Sequence, residues 1–398
     1  PNYRLFCPTG LHLDRKGRVC EKCLSIGREI HCVTKNCEKN YFKSIGYASR
    51  NFLARKVWGI TDKMDAYIVQ TSFQKQKFIK NGIQANKLFI VPGITPPINE
   101  IDKTIESKYV TFIGRISEEK GIIEFLEASK KAPDLPFLVV GDFQNNIDIK
   151  NNSPSNVLWT GFVTGKKLEE CFKKSKIVVV PSKWYEGFPN VIIRAMKHGK
   201  PVITSNLGAM SAIIDHEENG LLVEPGNVVS LYKAISTLYA DKVKCDYYGI
   251  KAKEKADRVF SSFGVYSDLM ELYSGLIKEN KISIKKILFI LHYPPPVHGA
   301  AMVGQYIRES RHINSLFNCQ YINLGTSVRI DEIGKGSLLK AIRYFKLLAI
   351  TIKNLYRFNP NLVYLTLTAS GNGFYKDALI AIIAKVFGKK VVIHFHNK

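Results

Sequence analysis

Arg115 and Lys120 stand in the run Gly114-Arg115-Ile116-Ser117-Glu118-Glu119-Lys120-Gly121, which follows the apolar stretch YVTFI and opens an amphipathic one. Gly114 permits a tight turn at the end of a strand. Two cations beyond that turn suit a diphosphate, because Arg forks onto phosphate oxygens and Lys meets them as a point charge. A second run, Ser182-Lys183-Trp184-Tyr185-Glu186-Gly187-Phe188-Pro189-Asn190-Val191, also follows an apolar stretch and opens a helical pattern. Backbone amides at a helix start attract an anion, and the helix dipole reinforces them. Glu186 beside those amides is placed to accept hydrogen bonds from hydroxyl groups. Taken alone, it reads first as a carboxylate that offsets the helix dipole.

Five of the eight cysteines fall in the first 37 residues: Cys7, Cys20, Cys23, Cys32 and Cys37. Cys20-x2-Cys23 has the spacing of a zinc knuckle, and Cys7 and Cys37 would complete four thiolates around a structural zinc. Cys32 or His31 could substitute, and plain free thiols are the equal alternative. The N-terminus shows no secretion-signal pattern, which favours a reducing compartment and so metal ligation over disulfides. The expected location is the cytoplasm. The absence of an initiator Met and the abrupt end at VVIHFHNK suggest a fragment at both ends.

These residues need a frame. From Tyr109 to Val223 short β-branched runs alternate with amphipathic stretches. YVTFIG, FLVVG, VLWT, KIVVVP, KPVIT and GLLVEP read as strands. EEKGIIEFLEASKK, KKLEECFKK, PNVIIRAMKHG and NVVSLYKAISTLYA read as helices. Buried strands alternating with helices predict a doubly wound parallel sheet of the α/β class. Pro189 suits the first turn of its helix and Gly199 its C-terminal cap. AYIVQ and LFIVP are expected strands around a helix at residues 73–80. A Rossmann-like pattern restarts at residues 285–292 and leads through PPPVHGA into a helix. NLVYLTL and KVVIHF are further strands, with a helix around residues 375–387 between them.

Charge is distributed unevenly over the 398 residues and their net +24. Residues 1–107 carry 18 basic and 9 acidic residues, residues 108–280 carry 23 and 21, and residues 281–398 carry 17 and 4. The outer segments therefore hold nearly all the excess, which attracts an anionic partner such as a membrane surface or a lipid phosphate. No apolar run is long enough to span a bilayer, so peripheral association is expected. No zinc-finger, homeodomain or RRM-type pattern occurs, and nucleic acid is not an expected partner.

The two motifs, with NLGAMSAIIDHEENGLLVEPGN after them, resemble the C-terminal domain of glycosyltransferase family 4, retaining enzymes of the GT-B fold. The resemblance covers residues 108–280, with residues 263–277 as the final helix that returns to the N-terminal domain. It implies that Arg115 and Lys120 hold the donor diphosphate. It places Glu186 at the donor sugar, and the amides from Gly187 to Val191, through Phe188, Pro189 and Asn190, over sugar and phosphate. Two positions depart from the family pattern. Arg194 stands where a Glu grips the nucleotide ribose, and Arg has no acceptor for a diol. Arg194 reads either as a phosphate ligand or as a surface residue of its helix. Ala212 stands where the family commonly has Glu.

NYRLFCPTGLHLDRKGRVCEKCL resembles the later part of the family's N-terminal domain, so residues 1–100 are read as that part with a Cys-rich insertion. Residues 285–398 resemble its beginning, with His298 and Gly299 in a cleft loop and His396 at the end of a strand as a candidate catalytic residue. An N-type domain split between the two chain ends is the expectation, whether by fusion of two neighbouring enzymes, the favoured reading, or by permutation. The implied reaction moves a sugar, with retention, from a nucleotide diphosphate sugar to a glycan or lipid-linked glycan acceptor. No catalytic cofactor is expected. The alternatives are an impaired fragment or pseudoenzyme of the same fold, or a sugar-nucleotide epimerase.

Overall fold

Short Val, Ile and Leu runs bounded by Gly and Pro become strands because branched side chains pack well on a pleated surface. The computed structural model describes residues 3–24, 27–93, 95, 98, 106–276, 286–295, 299–325, 338–367 and 372–395. In chain order the strands are β1 (Ala66–Val69), β2 (Leu88–Ile90), β3 (Tyr109–Ile113), β4 (Phe137–Val140), β5 (Val157–Gly161) and β6 (Ser175–Val180). They continue with β7 (Val202–Ser205), β8 (Gly220–Val223), β9 (Lys286–Leu291), β10 (Asn318–Asn323), β11 (Leu362–Leu367) and β12 (Lys390–Phe395). Among the described residues they form two six-stranded sheets, ordered β5-β4-β3-β6-β7-β8 and β10-β9-β11-β12-β1-β2.

The second sheet joins the two ends of the chain. β1 pairs in parallel with β12, in the register Ala66↔Val392, Tyr67↔Ile393 and Ile68↔His394. Asp65 clips the junction: its Oδ2 accepts from the Val391 amide at 3.0 Å and from Lys385 Nζ at 2.8 Å. The expected split domain is therefore a single continuous sheet. Its strands are apolar on both faces, as a parallel sheet under two helical layers requires. Tyr67, Val69, Leu288, Ile290, Val363 and Ile393 enter one core, with Leu347, Leu355, Ala378 and Ala381 from the helices Leu338–Arg357 and Asn372–Val386. Ala66, Ile68, Phe289, Tyr364 and Val392 enter the other, with Val265, Leu269, Leu272 and Tyr273 from the helix Ser262–Leu276. That helix thus crosses from the middle domain to cover the composite sheet.

The first sheet carries the sequence motifs. Its two faces bury separate cores, one around Phe112, Phe125, Phe137 and Ile203, the other around Phe172, Val178, Ile192 and Met196. The longest elements with no counterpart among the expected ones are the helices Tyr41–Phe52, Lys242–Val259 and Leu338–Arg357, and β10 was not expected either. β10, NCQYIN, is a half-exposed edge strand and lacks the apolar run that marks a buried one. Pro189 stands just ahead of its helix, at the cap position, rather than inside the first turn. Gly199 ends that helix at φ 65°, as expected for a left-handed cap.

Removing the Asp65 clip leaves the Val391 amide without its partner in a partly buried junction. Asp65→Ala is expected to lower unfolding free energy by about 1–3 kcal/mol. A denaturant titration checks this, and an unchanged midpoint would show that the strand pairing does not depend on the clip.

Candidate functional site

In the first sheet β3 lies between β4 and β6, so the winding reverses there. At such a switch point the loops leaving neighbouring strands part in opposite directions and open a crevice at the carboxyl ends. Both motif loops leave from this place, one after β3 and one after β6. Gly121 makes their close approach possible. It has φ 79°, and a Cβ there would stand 2.1 Å from the Pro181 carbonyl oxygen. The loops are then locked, because the Lys183 amide donates to the Glu119 carbonyl at 2.9 Å.

Glu186 is the centre of this crevice. Its Oε1 accepts from Lys120 Nζ at 2.7 Å, from Ser182 Oγ at 2.8 Å and from Trp184 Nε1 at 2.8 Å. The carboxylate is buried, and Lys120 lies 5.3 Å from the Trp184 ring centroid. A buried carboxylate needs such partners, since an unpaired charge there would be costly. All three donors use one oxygen. Among the described residues Oε2 receives no hydrogen bond. Arg115 is 66% exposed in its side chain and is steadied by Glu119 Oε1 at 3.1 Å, which Ser117 Oγ also reaches at 2.8 Å. The first loop thus offers one part-buried cation and one exposed cation.

Tyr185, beside Glu186, ties the crevice to the composite domain. Its hydroxyl donates to Glu21 Oε1 at 2.7 Å, and Lys77 bonds the same oxygen. Burial alone would raise the Glu21 carboxyl, but Lys77 and the Tyr185 hydroxyl outweigh it and hold it below the usual carboxylate range. The rings of Phe73, His12 and Tyr3 surround Tyr185 at 4.8, 5.5 and 6.1 Å. Burial pushes His12 down to about 4, so it stays neutral at physiological pH. Lys197 Nζ adds a bond across the lobes to the Thr95 carbonyl at 2.9 Å.

Gly187, Phe188 and Pro189 are buried ahead of the helix Asn190–Lys197, while Asn190 is exposed and Val191 half-buried. Arg194 does not stand free on that helix. It pairs with Glu169 of the helix Gly165–Lys174 and lies over the Phe172 ring at 5.4 Å. His198 Nε2 reaches the other Glu169 oxygen at 2.5 Å. Burial, with Arg194 and nearby lysines, pushes His198 down to about 4. It therefore meets Glu169 as a neutral hydrogen-bond donor and not as an ion-pair partner. The sequence reading of Arg194 did not foresee this pair with Glu169. Ala212 is exposed on a short helix, Ala209–Ile213.

On the composite side Gly299 begins the helix Gly299–Glu309 after β9. His298 and His396 lie outside the described residues. His394 is buried within β12 and contacts the Tyr364 hydroxyl. Cys7, Cys20, Cys23, Cys32 and Cys37 wall one small enclosed cavity with His12, and all are free thiols. Among the described residues no group of three or more His, Cys, Asp or Glu side chains is placed to hold a metal ion. Sequence reasoning missed Ser182, Trp184 and Tyr185 as partners inside the very motif it quoted. It also missed Glu21, Lys77 and Glu169, whose only signal was charge, because only the fold brings them within reach.

Residues 107–241 match the family model described as glycosyl transferases, group 1. An uncharacterized glycosyltransferase of Methanocaldococcus jannaschii is 28% identical over 217 residues, covering 52% of this chain and 55% of that protein. The UDP-Gal:alpha-D-GlcNAc-diphosphoundecaprenol alpha-1,3-galactosyltransferase of Escherichia coli is 28% identical over 223 residues, 51% of this chain and 55% of the relative. The chain thus spans about half the length of the curated relatives it matches. A glycosyltransferase from Rickettsia africae ESF-5 superposes with a TM-score of 0.51 at 17% identity, over 60% of this chain and 75% of that one. Anabaena HepE in complex with UDP-glucose superposes with a TM-score of 0.50 at 21% identity, over 60% and 69%. These structural likenesses show the fold, which is of the GT-B type.

Arg194→Glu would set two carboxylates against each other at Glu169. The expected cost is about 1 kcal/mol, or a few degrees in melting temperature, roughly 2–4 °C. Adding Glu169→Arg should restore most of the loss by reversing the pair. An unchanged melt for Arg194→Glu alone would show that the pair is not made.

Proposed function

We propose that this chain transfers a sugar residue, with retention, from a nucleotide diphosphate sugar to a glycan or lipid-linked glycan acceptor. The observation that carries the reading is the Glu186 cluster at the switch point, where Lys120, Ser182 and Trp184 all donate to Oε1. Lys120 bonds Glu186 directly, and Arg115 lies five residues before it in the same loop. Two cations beside a carboxylate suit a ligand that carries a diphosphate at one end and hydroxyls at the other. The match of residues 107–241 to group 1 glycosyl transferases supports the same reading. So does the named activity of the Escherichia coli relative on a lipid diphosphate-linked sugar.

In this reading the donor enters the crevice and its diphosphate draws Arg115 away from Glu119. Lys120 shares its charge between Glu186 and the phosphates. As the bond from sugar to diphosphate breaks, negative charge grows on the departing oxygen. Fixed cations and backbone amides that meet that charge stabilise the transition state more than the ground state. Glu186 keeps the sugar oriented through Oε2 while its own charge is balanced by Lys120. The composite domain, reached through Tyr185 and Glu21, supplies the acceptor side.

Arg115→Ala removes an exposed side chain, so folding should be untouched. Loss of one charge-assisted contact worth about 1.5–3 kcal/mol corresponds to roughly ten- to hundredfold in kcat/KM. Adding Lys120→Ala should deepen the loss. Donor hydrolysis and transfer, measured over a panel of nucleotide sugars beside thermal melts, check this. Ordinary turnover in the folded double variant would overturn the proposal.

A further inference from the structure

The helix Leu338–Arg357 is apolar on both sides. Its inner side, with Tyr344, Leu347, Leu348 and Leu355, packs into the composite domain. The Tyr344 hydroxyl donates to the Lys376 carbonyl at 3.0 Å and fixes the helix against its neighbour. A helix covering a sheet should then turn polar residues to water. This one instead exposes Leu339, Ile342, Phe345, Ile350, Ile352 and Tyr356, with Phe345 68% and Tyr356 78% accessible. At 3.6 residues per turn these six fall within one arc of roughly 160°. Lys346, Lys353 and Arg357 are exposed within the same arc, and the helix contains no Asp or Glu.

The charge of that arc selects its partner. A second copy of this helix would bring uncompensated cations together. An anionic lipid surface neutralises them and accepts the apolar side chains between its headgroups. The surrounding sequence agrees, since residues 281–398 hold 17 basic and 4 acidic residues. The helix Tyr41–Phe52 likewise exposes Tyr41, Phe42 and Ile45. No described helix is long and apolar enough to cross a membrane, so the contact is one of lying on the surface.

We propose that the helix Leu338–Arg357 docks this chain on an anionic bilayer. Ile342, Phe345 and Tyr356 enter the acyl boundary, and Lys346, Lys353 and Arg357 extend to the lipid phosphates. This inference does not rest on the sugar-transfer reading. The test is co-sedimentation of the full chain with vesicles of phosphatidylcholine, alone or mixed with phosphatidylglycerol, at low and high salt. Binding is expected only with the anionic lipid and should weaken with salt. Lys346→Glu/Lys353→Glu/Arg357→Glu should weaken it by roughly a hundredfold, and Ile342→Ser/Phe345→Ser/Tyr356→Ser should abolish it. Thermal melts and sedimentation velocity without vesicles accompany each variant. Vesicle binding equal to that of the unaltered chain in both folded variants would overturn the proposal. So would no binding at low salt, or a dimer that the apolar variant dissolves.

Discussion

The structure depends on the pairing of β1 with β12. A parallel strand gains its hydrogen bonds only from a neighbour delivered by another part of the chain, and here that neighbour lies 326 positions away. Without it, β1 and β2 would be a two-stranded ribbon and β9 to β12 would end on a bare edge, neither a stable arrangement. With it, both faces of a six-stranded sheet are covered. The position of β1 then sets that of the helix after it. Thr71 caps the helix Ser72–Lys80 by accepting from the Gln74 amide, and Gln74 Oε1 accepts from the Gln70 amide at 2.8 Å. That turn places Phe73 and Lys77 against Tyr185. The sheet joined from two chain ends is thus what brings a wall of aromatic and charged groups to the motif of the other lobe.

Electrostatics at the crevice depend on the same closure. Glu186 is buried, and Lys120, Ser182 and Trp184 converge on one of its oxygens. Glu21 is treated alike by Lys77 and Tyr185 on the other side of the same loop. Consecutive residues thereby serve the two lobes: Tyr185 bonds the Glu21 carboxylate, and Glu186 carries the carboxylate that Lys120 holds. In the proposed reaction Lys120 stays with the sugar-facing carboxylate and Arg115, the exposed cation, answers an incoming diphosphate. Glu169 serves a third time in this manner, binding Arg194 and a neutral His198 at the helix behind the site.

Much of the frame was legible because buried parallel strands announce themselves as unbroken apolar runs. YVTFI, FLVV and KIVVV became β3, β4 and β6 with the order expected of a doubly wound sheet. β10 was not legible, since an edge strand half in water carries no such run. The helix Leu338–Arg357 was not legible either, because an outer arc that is apolar where a solvated helix would be polar blurs the helical period. In the site, Gly114, Arg115, Lys120 and Glu186 could be named from types and spacing. Their partners could not: Lys77, Glu21 and Glu169 look like any surface charge until the fold sets each against a partner. Arg194 shows the limit most plainly, for its meaning lies in an acidic residue 25 positions away on another helix.

Amide hydrogen exchange, followed strand by strand, tests the central claim that the two chain ends form one domain. If β1 and β12 share one sheet, their amides open together, with a common protection free energy and a common response to denaturant. Peptides covering β1–β2 and β9–β12 should then lose protection in a single step. Loss of protection in β9–β12 while β1 and β2 remain protected, or the reverse, would contradict the account.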